Sequence, residues 1–298
     1  VKVLVTGAGG NLGRVVLPAL AAGGHAVRAA DSRPLDVEHE FVQLDVRDRE
    51  AVAAAVQGVD AIVHAAAIHG VHLEGWSAAD FWSINVDGTF NVYDAAREAG
   101  VDRIVLCSTM GVYGSEGAPE AWAVVTEESP VRPKDVYGLS KAVCEQIAEY
   151  HARVDGIGTV ALRLGMFVPE TFERYGFRLL FGGVDDRDVA DAVVLALGHD
   201  PAGGFDVFDV MADTPFEPED ARELARDPAA AIERHWPGAT DDVDVDSVVW
   251  GWALWPVEKA KRELGWRPRY GFPEFLEAFR RGDTGHYPFA GLPQWGVR

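Results

Sequence analysis

The sequence predicts an α/β fold: a doubly wound parallel sheet with a smaller C-terminal lobe. Three observations carry this expectation. Residues 1–165 alternate short apolar runs with longer amphipathic segments, the pattern of parallel strands joined by helical crossovers. The first apolar run ends in Gly7, Gly10 and Gly13, spaced by three. The second ends in a carboxylate, Asp31, eighteen positions after Gly13.

Each element follows in order. Residues 1–5 form a strand, residues 7–13 a tight turn, and residues 12–22 an amphipathic helix. Glycine lets the turn bend and approach a ligand closely. The helix then points unpaired N–H groups at that spot, where an anionic pyrophosphate is stabilised. Gly7, Gly10, Asn11, Leu12 and Gly13 are therefore candidate cofactor contacts. Residues 26–30 form the second strand. A carboxylate at its end, Asp31, accepts hydrogen bonds from ribose hydroxyls and repels a 2′-phosphate, which favours NAD over NADP. Arg33 nearby could instead accommodate that phosphate. Strands are also expected at 40–44, 61–64, 103–108 and 158–164, with helices at 49–56, 85–99 and 136–154. Right-handed crossovers between them wind the sheet in both directions.

Beyond residue 165 the regularity loosens. A helix is expected at 186–197, a strand at 205–211, a turn into a short helix at 215–220 and an acidic loop at 239–245. Helical segments follow at 256–264 and 272–281, then an irregular tail, 282–298. The expected organisation is a dinucleotide-binding domain, 1–165, and a smaller mixed lobe, 166–298, that partly returns to the main sheet. No linker or internal repeat separates them.

The chain has 298 residues, of which 48% are hydrophobic, enough for a sizeable core. No run is long and apolar enough to span a membrane, and no signal-like segment begins it. Two cysteines, Cys107 and Cys144, lack the spacing of a zinc site or a disulfide framework. A cytoplasmic location is the expectation. The net charge of −20 disfavours nucleic acid and anionic membranes as partners. It fits either a high-salt habitat or an ordinary acidic surface.

The second strong motif is Tyr137-Gly-Leu-Ser-Lys141. Residues four apart on a helix share a face, so the ammonium would stand beside the phenol. A phenol pKa is normally about 10; a fixed cation would lower it and make Tyr137 a usable acid or base. His69 and His72 lack further ligands for a metal, so no metal is expected. Trp76, Trp82, Trp250, Trp252 and Trp255 could stack on a sugar ring, although Trp82 and Trp255 also suit core or interface positions.

These motifs, in this order, resemble the extended short-chain dehydrogenase/reductases of the NAD-dependent epimerase/dehydratase type. The resemblance runs through the glycine loop, Asp31, Asp45-Val46, His64-Ala-Ala-Ala67, Asn85-Val-Asp-Gly-Thr89, Val105-Leu-Cys-Ser-Thr109, Val112-Tyr-Gly114, Tyr137–Lys141 and Leu162-Arg-Leu164. Two weaker matches, 186–192 and 260–268, extend it to the C-terminal part. It implies a Rossmann fold and a bound NAD. Asp45 and Val46 would hold the adenine, and Ala65, Ala66 and Ala67 would line the nicotinamide side. Thr109 would bond the reacting oxygen, with Ser108 as a neighbour able to take that role. Tyr137 would be the acid/base, Lys141 would grip the nicotinamide ribose, and Asn85 would help position the site or a relay water. From the spacing alone, Asn85 could equally cap its helix. The family also implies a homodimer through the two long helices, with Val143, Ile147 and Tyr150 as a candidate stripe.

Only about twenty residues separate Gly165 from Asp186, where nucleotide-sugar enzymes of this type carry a long insertion. A compact pocket is expected, walled by Phe167, Phe172, Tyr175 and Phe177, with Arg174 or Arg178 as its nearby charge. Asp241, Asp242, Asp244 and Asp246 would repel a diphosphate. A partial resemblance to uronate dehydrogenases is broken at Met110, Gly111 and Met166, where that branch places an Asn-His pair and a serine. Ser108, Met110, Met166, Arg174 and Arg178 are the candidate substrate contacts. The expected activity is hydride transfer between NAD and a secondary alcohol or ketone of a small sugar-like molecule. The alternatives are a nucleotide-sugar 4-epimerase or dehydratase that retains its NAD, and a non-catalytic NAD-sensing module.

Overall fold

A computed structural model describes residues 1–114, 120–241 and 251–292. Seven strands build the main sheet: β1 (Lys2–Thr6), β2 (Ala26–Asp31), β3 (Glu40–Gln43), β4 (Ala61–His64), β5 (Arg103–Thr109), β7 (Gly158–Leu164) and β8 (Phe205–Val210). Their order is β3-β2-β1-β4-β5-β7-β8, and every pairing is parallel. The chain runs outward from β1 to β3, then returns to the other side of β1 with β4. That reversal opens a crevice at the carboxyl ends of β1 and β4, where ligands of such sheets bind.

The central strands are buried on both faces and therefore read as continuous apolar runs. Val3, Val5, Val63 and Val105 belong to one core, and Leu4, Ile62, Ile104 and Leu106 to the other. Each fully buried aliphatic side chain of this size contributes about 1.5–3 kcal/mol. Helices α1 (Asn11–Ala22) and α7 (Asp186–Gly198) pack together on the first face. Helices α2 (Arg49–Val56), α4 (Gly88–Ala99) and α5 (Val136–Asp155) cover the other.

The C-terminal part divides its elements. β8 and α7 complete the main sheet, as do the core residues Val257, Leu264 and Trp266. The rest forms a lobe with its own core, built on Tyr175, Phe177, Phe272 and Phe275. It contains α6 (Phe172–Arg178), α8 (Ala221–Arg226), α9 (Pro228–His235), α10 (Phe272–Arg280) and a small parallel pair, β6 (Ala123–Val124) with β9 (Ala253–Leu254). Phe172, Tyr175 and Phe177 were expected to wall the substrate pocket. They instead fill this core, because the helix α6 turns their rings against Phe275 and Phe272. Trp250, Asp242, Asp244, Asp246 and residues 293–298 of the tail lie outside the described residues. No helix among the described residues is long and apolar enough to cross a membrane.

Candidate active site

A cavity of about 820 Å³ lies along the carboxyl ends of β1, β2, β4, β5 and β7. Its floor is the glycine loop. Gly7 adopts φ +71°, and a Cβ there would meet the Ala66 backbone at 2.7 Å. A Cβ on Gly13 would lie 2.0 Å from the Ala8 carbonyl oxygen, so only glycine lets α1 start this close to the turn. No side chain caps the N-terminus of α1, and Gly7, Gly10, Asn11 and Leu12 line the cavity beside it. Uncapped N–H groups at the floor of a glycine cradle suit a pyrophosphate. Gly13 packs behind the turn and does not face the cavity.

Asp31 closes one end. Its carboxylate accepts from the Gly9 N–H at 2.9 Å and from the Arg33 N–H at 3.0 Å, so it braces the loop as well as facing the cavity. Arg33 stands 3.5 Å from it. Asp45 and Val46 line the same end, and Asp45 is clasped by Arg47 at 2.5 Å, which holds its carboxyl below the usual range. Ala65, Ala66 and Ala67 form the middle of the wall, their small side chains leaving room for a flat ring.

The other end is built by β5 and α5. Asp135 caps α5 through the Gly138 N–H at 2.7 Å, which sets Tyr137 in the first turn and Lys141 one turn on. Thr109 ends β5 and accepts from the Gly111 N–H at 3.1 Å. Thr109, Tyr137 and Lys141 all reach the cavity. Burial pushes the Tyr137 phenol up to about 12, against the opposing influence of the nearby Thr109 hydroxyl. The expectation that Lys141 makes the phenol more acidic is corrected here. Desolvation of the phenolate outweighs every opposing influence, of which the Thr109 hydroxyl is the principal one. Burial, with the Lys141 charge beside it, holds His64 down to about 3.

Three residues expected to touch substrate or take part in the reaction, Asn85, Arg174 and Arg178, are placed elsewhere, and a fourth, Ser108, lines the cavity with its hydroxyl already engaged. Asn85 sits in a π-helical stretch, Trp82–Asp87, and caps nothing. Its Oδ1 accepts from the Ile68 N–H at 2.9 Å, and its Nδ2 donates to the Ile68 carbonyl at 3.0 Å and to Ser140 at 2.9 Å. It ties the wall after β4 to helix α5 from behind. The Ser108 hydroxyl donates to Glu145 at 2.5 Å, which commits it to a buried ion pair of Glu145 with Arg163 at 2.7 Å. Arg178 is buried, donating to the Met166 carbonyl at 2.5 Å and pairing with Glu170 at 3.2 Å. Arg174 is exposed and does not line the cavity. Met110, Met166 and Phe167 do, as do His69, His72 and Trp76.

Sequence reasoning missed the supports. The Glu145–Arg163 pair extends to Tyr113 at 2.8 Å and on to Asp209 at 2.8 Å. An arginine inside the apolar run Leu162-Arg163-Leu164 was the available signal, since a buried cation needs a partner. His64 likewise bridges Thr6 at 2.8 Å and Thr89 at 3.0 Å, linking β1 to α4.

The model of the NAD-dependent epimerase/dehydratase family matches residues 3–174, more than half the chain. The chain belongs to this family. Over 177 residues it is 37% identical to a uronate dehydrogenase of Pseudomonas syringae pv. tomato, covering 58% of this chain and 62% of that protein. It is 36% identical over 173 residues to an L-arabinose 1-dehydrogenase of Haloferax volcanii, covering 55% and 66%. These matches span less than two thirds of either relative. A solved short-chain dehydrogenase/reductase superfamily protein from Agrobacterium tumefaciens, with bound NAD, aligns at TM-score 0.70 with 25% identity, covering 96% of this chain and 97% of that one. A uronate dehydrogenase from the same organism aligns at 0.68 with 28% identity, covering 95% and 88%.

Proposed function

We propose that this protein is an NAD-dependent dehydrogenase acting on a secondary alcohol or carbonyl of a small sugar-like molecule. The observation that carries the reading is a single cavity joining the two halves of such chemistry. The glycine cradle, uncapped helix and Asp31 lie at one end, and Thr109, Tyr137 and Lys141 lie at the other. When bound, NAD supplies the hydride acceptor. Asp31 favours it over NADP by pairing with ribose hydroxyls.

The chain's own residues handle the proton. Thr109 and Tyr137, which both reach the cavity, hold the reacting oxygen between two hydroxyl groups. For oxidation Tyr137 must first be in its phenolate form; it would then take the substrate O–H proton while the carbon-bound hydrogen departs with its electron pair to the acceptor that bound NAD would supply, giving a carbonyl. In reduction the phenol returns it. Burial keeps Tyr137 protonated at neutral pH, the form that donates to a carbonyl oxygen. Lys141, one turn on, supplies the positive charge against which the phenolate forms.

The test is a panel of free sugars and nucleotide sugars with excess NAD, followed by NADH absorbance and product analysis. Reduced cofactor accumulating well beyond one equivalent per site, and more slowly with NADP, supports the dehydrogenase. Epimers appearing without net NADH would establish the epimerase alternative.

The outer faces of α4 and α5 support a homodimer. Leu139, Val143, Ile147, Tyr150 and Val154 recur at helical spacing. Leu139, Tyr150 and Val154 are exposed, and Phe90 joins Tyr150 across His151. Light scattering should give twice the chain mass; a monomer at micromolar concentration would contradict it. Two unpaired buried cysteines fit a reducing, cytoplasmic setting.

A further inference from the structure

Among the described residues, the substrate end of the cavity offers an anion no arginine, and no lysine other than Lys141. The cavity-lining residues with lysine or arginine charge are Arg33, Arg47 and Lys141. Arg33 follows β2 and Arg47 follows Asp45, each beside its own carboxylate. Strand β2 stands three places from β5 in the sheet, roughly 14 Å at ~4.8 Å per place. Those guanidiniums therefore belong to the adenosine end. Lys141 is taken up with the nicotinamide ribose and Tyr137 in the dehydrogenase reading, on which this inference rests.

The segment after β7 is where a substrate anion would be gripped. Its two arginines do not face the cavity. Arg178 is spent on the Met166 carbonyl and Glu170, and Arg174 is exposed. Met110, Met166, Phe167 and Val168 stand at the wall instead. Two histidines, His69 and His72, also line this end. His69 is exposed. His72 accepts the His69 N–H on its Nδ1 at 2.8 Å, which a doubly protonated ring cannot do. Of the residues outside the described set, 115–119 and 242–250 contain no lysine, arginine or histidine, and 293–298 contain Arg298.

We propose that the substrate is uncharged: a neutral sugar or polyol with one apolar flank, bearing neither a carboxylate nor a phosphate. An anion entering this end would lose its water and meet sulfur and hydrocarbon. A neutral ring would keep hydrogen bonds to Thr109, Tyr137 and the histidines, while its C–H face packs on Met166 and Phe167.

Saturation-transfer NMR on the protein with NADH, using matched pairs, tests this. The pairs are glucose with glucuronate and galactose with galacturonate; arabinose, UDP and dTDP complete the set. The expected result is binding of at least one neutral sugar, with acid partners at least tenfold weaker and no competable signal from UDP or dTDP. An acid or nucleotide binding as well as the neutral sugars would overturn the proposal, and so would silence from every neutral sugar. Replacing NADH by NAD separates the two readings. Neutral sugars that bind without forming NADH would sink the dehydrogenase and leave the selectivity standing. NADH formed from an acid would do the reverse.

Discussion

The Asn85 side chain makes three hydrogen bonds, and all of them act from behind the cavity wall. Replacing it by leucine strands the Ile68 N–H and carbonyl in the interior, at about 1–3 kcal/mol for each group. Urea denaturation of Asn85→Leu should show a loss of that size; an unchanged midpoint would mean that the strut carries no load. The residues legible from sequence share one property. Gly7, Asp31, Tyr137 and Lys141 act through spacing to their own strand or helix, so short-range pattern suffices. Ser108, Arg174 and Arg178 depend on partners elsewhere in the fold. A serine or arginine at a strand end or in a short aromatic segment can face the cavity or the interior. For Arg178 the choice is made by Glu170 and the Met166 carbonyl, while Ser108 stays at the cavity wall with its hydroxyl claimed by Glu145, which no local pattern shows.

The decisive element is the β1 turn. Its backbone accepts Gly7 at φ +71° with the Ala66 backbone close behind. Gly7→Ala adds left-handed strain and a contact at 2.7 Å with backbone that cannot swing away. Calorimetry should show NAD affinity falling by at least tenfold, together with a lower melting temperature; normal affinity would show that the turn is not the pyrophosphate cradle. The main-sheet strands and the helices beside them were readable because buried parallel strands are nearly pure apolar runs. The lobe was not. Its two-residue strands, β6 and β9, are too short to show a period, and α6 hides a helical face in a segment that is aromatic throughout. The π-helical turn before α4 was also invisible, since Trp82–Asp87 continues an ordinary helical pattern in sequence.

At the scale of the molecule, three buried carboxyls make stability fall as pH rises, and the buried His64, held to about 3, offsets part of that slope below its ordinary 6.5. Burial raises Asp186 and Asp209 to about 7 and Asp188 to about 6, from an ordinary value of 3.8. Between these limits the folded chain holds protons that the unfolded chain has released. Their contribution is thus fully present below about pH 4 and is lost as pH rises through 6 to 7. Paired carboxyls such as Asp94, held low by Arg97, act oppositely and lose their contribution only under stronger acid. The melting temperature should therefore be higher near pH 5 than near pH 8, and Asp186→Asn should flatten that slope. A curve rising from pH 5 to 8 would contradict the assignment. The same burial keeps Tyr137 protonated at the catalytic end, and there the whole functional reading converges on one hydroxyl group. Its most direct test is turnover by Tyr137→Phe on a substrate that the wild-type protein oxidises, with NAD affinity measured alongside. The expected result is a fall of about 10² or more in turnover, the usual scale for a lost acid/base, with NAD affinity unchanged. Near-normal turnover in the phenylalanine variant would show that another group moves the proton.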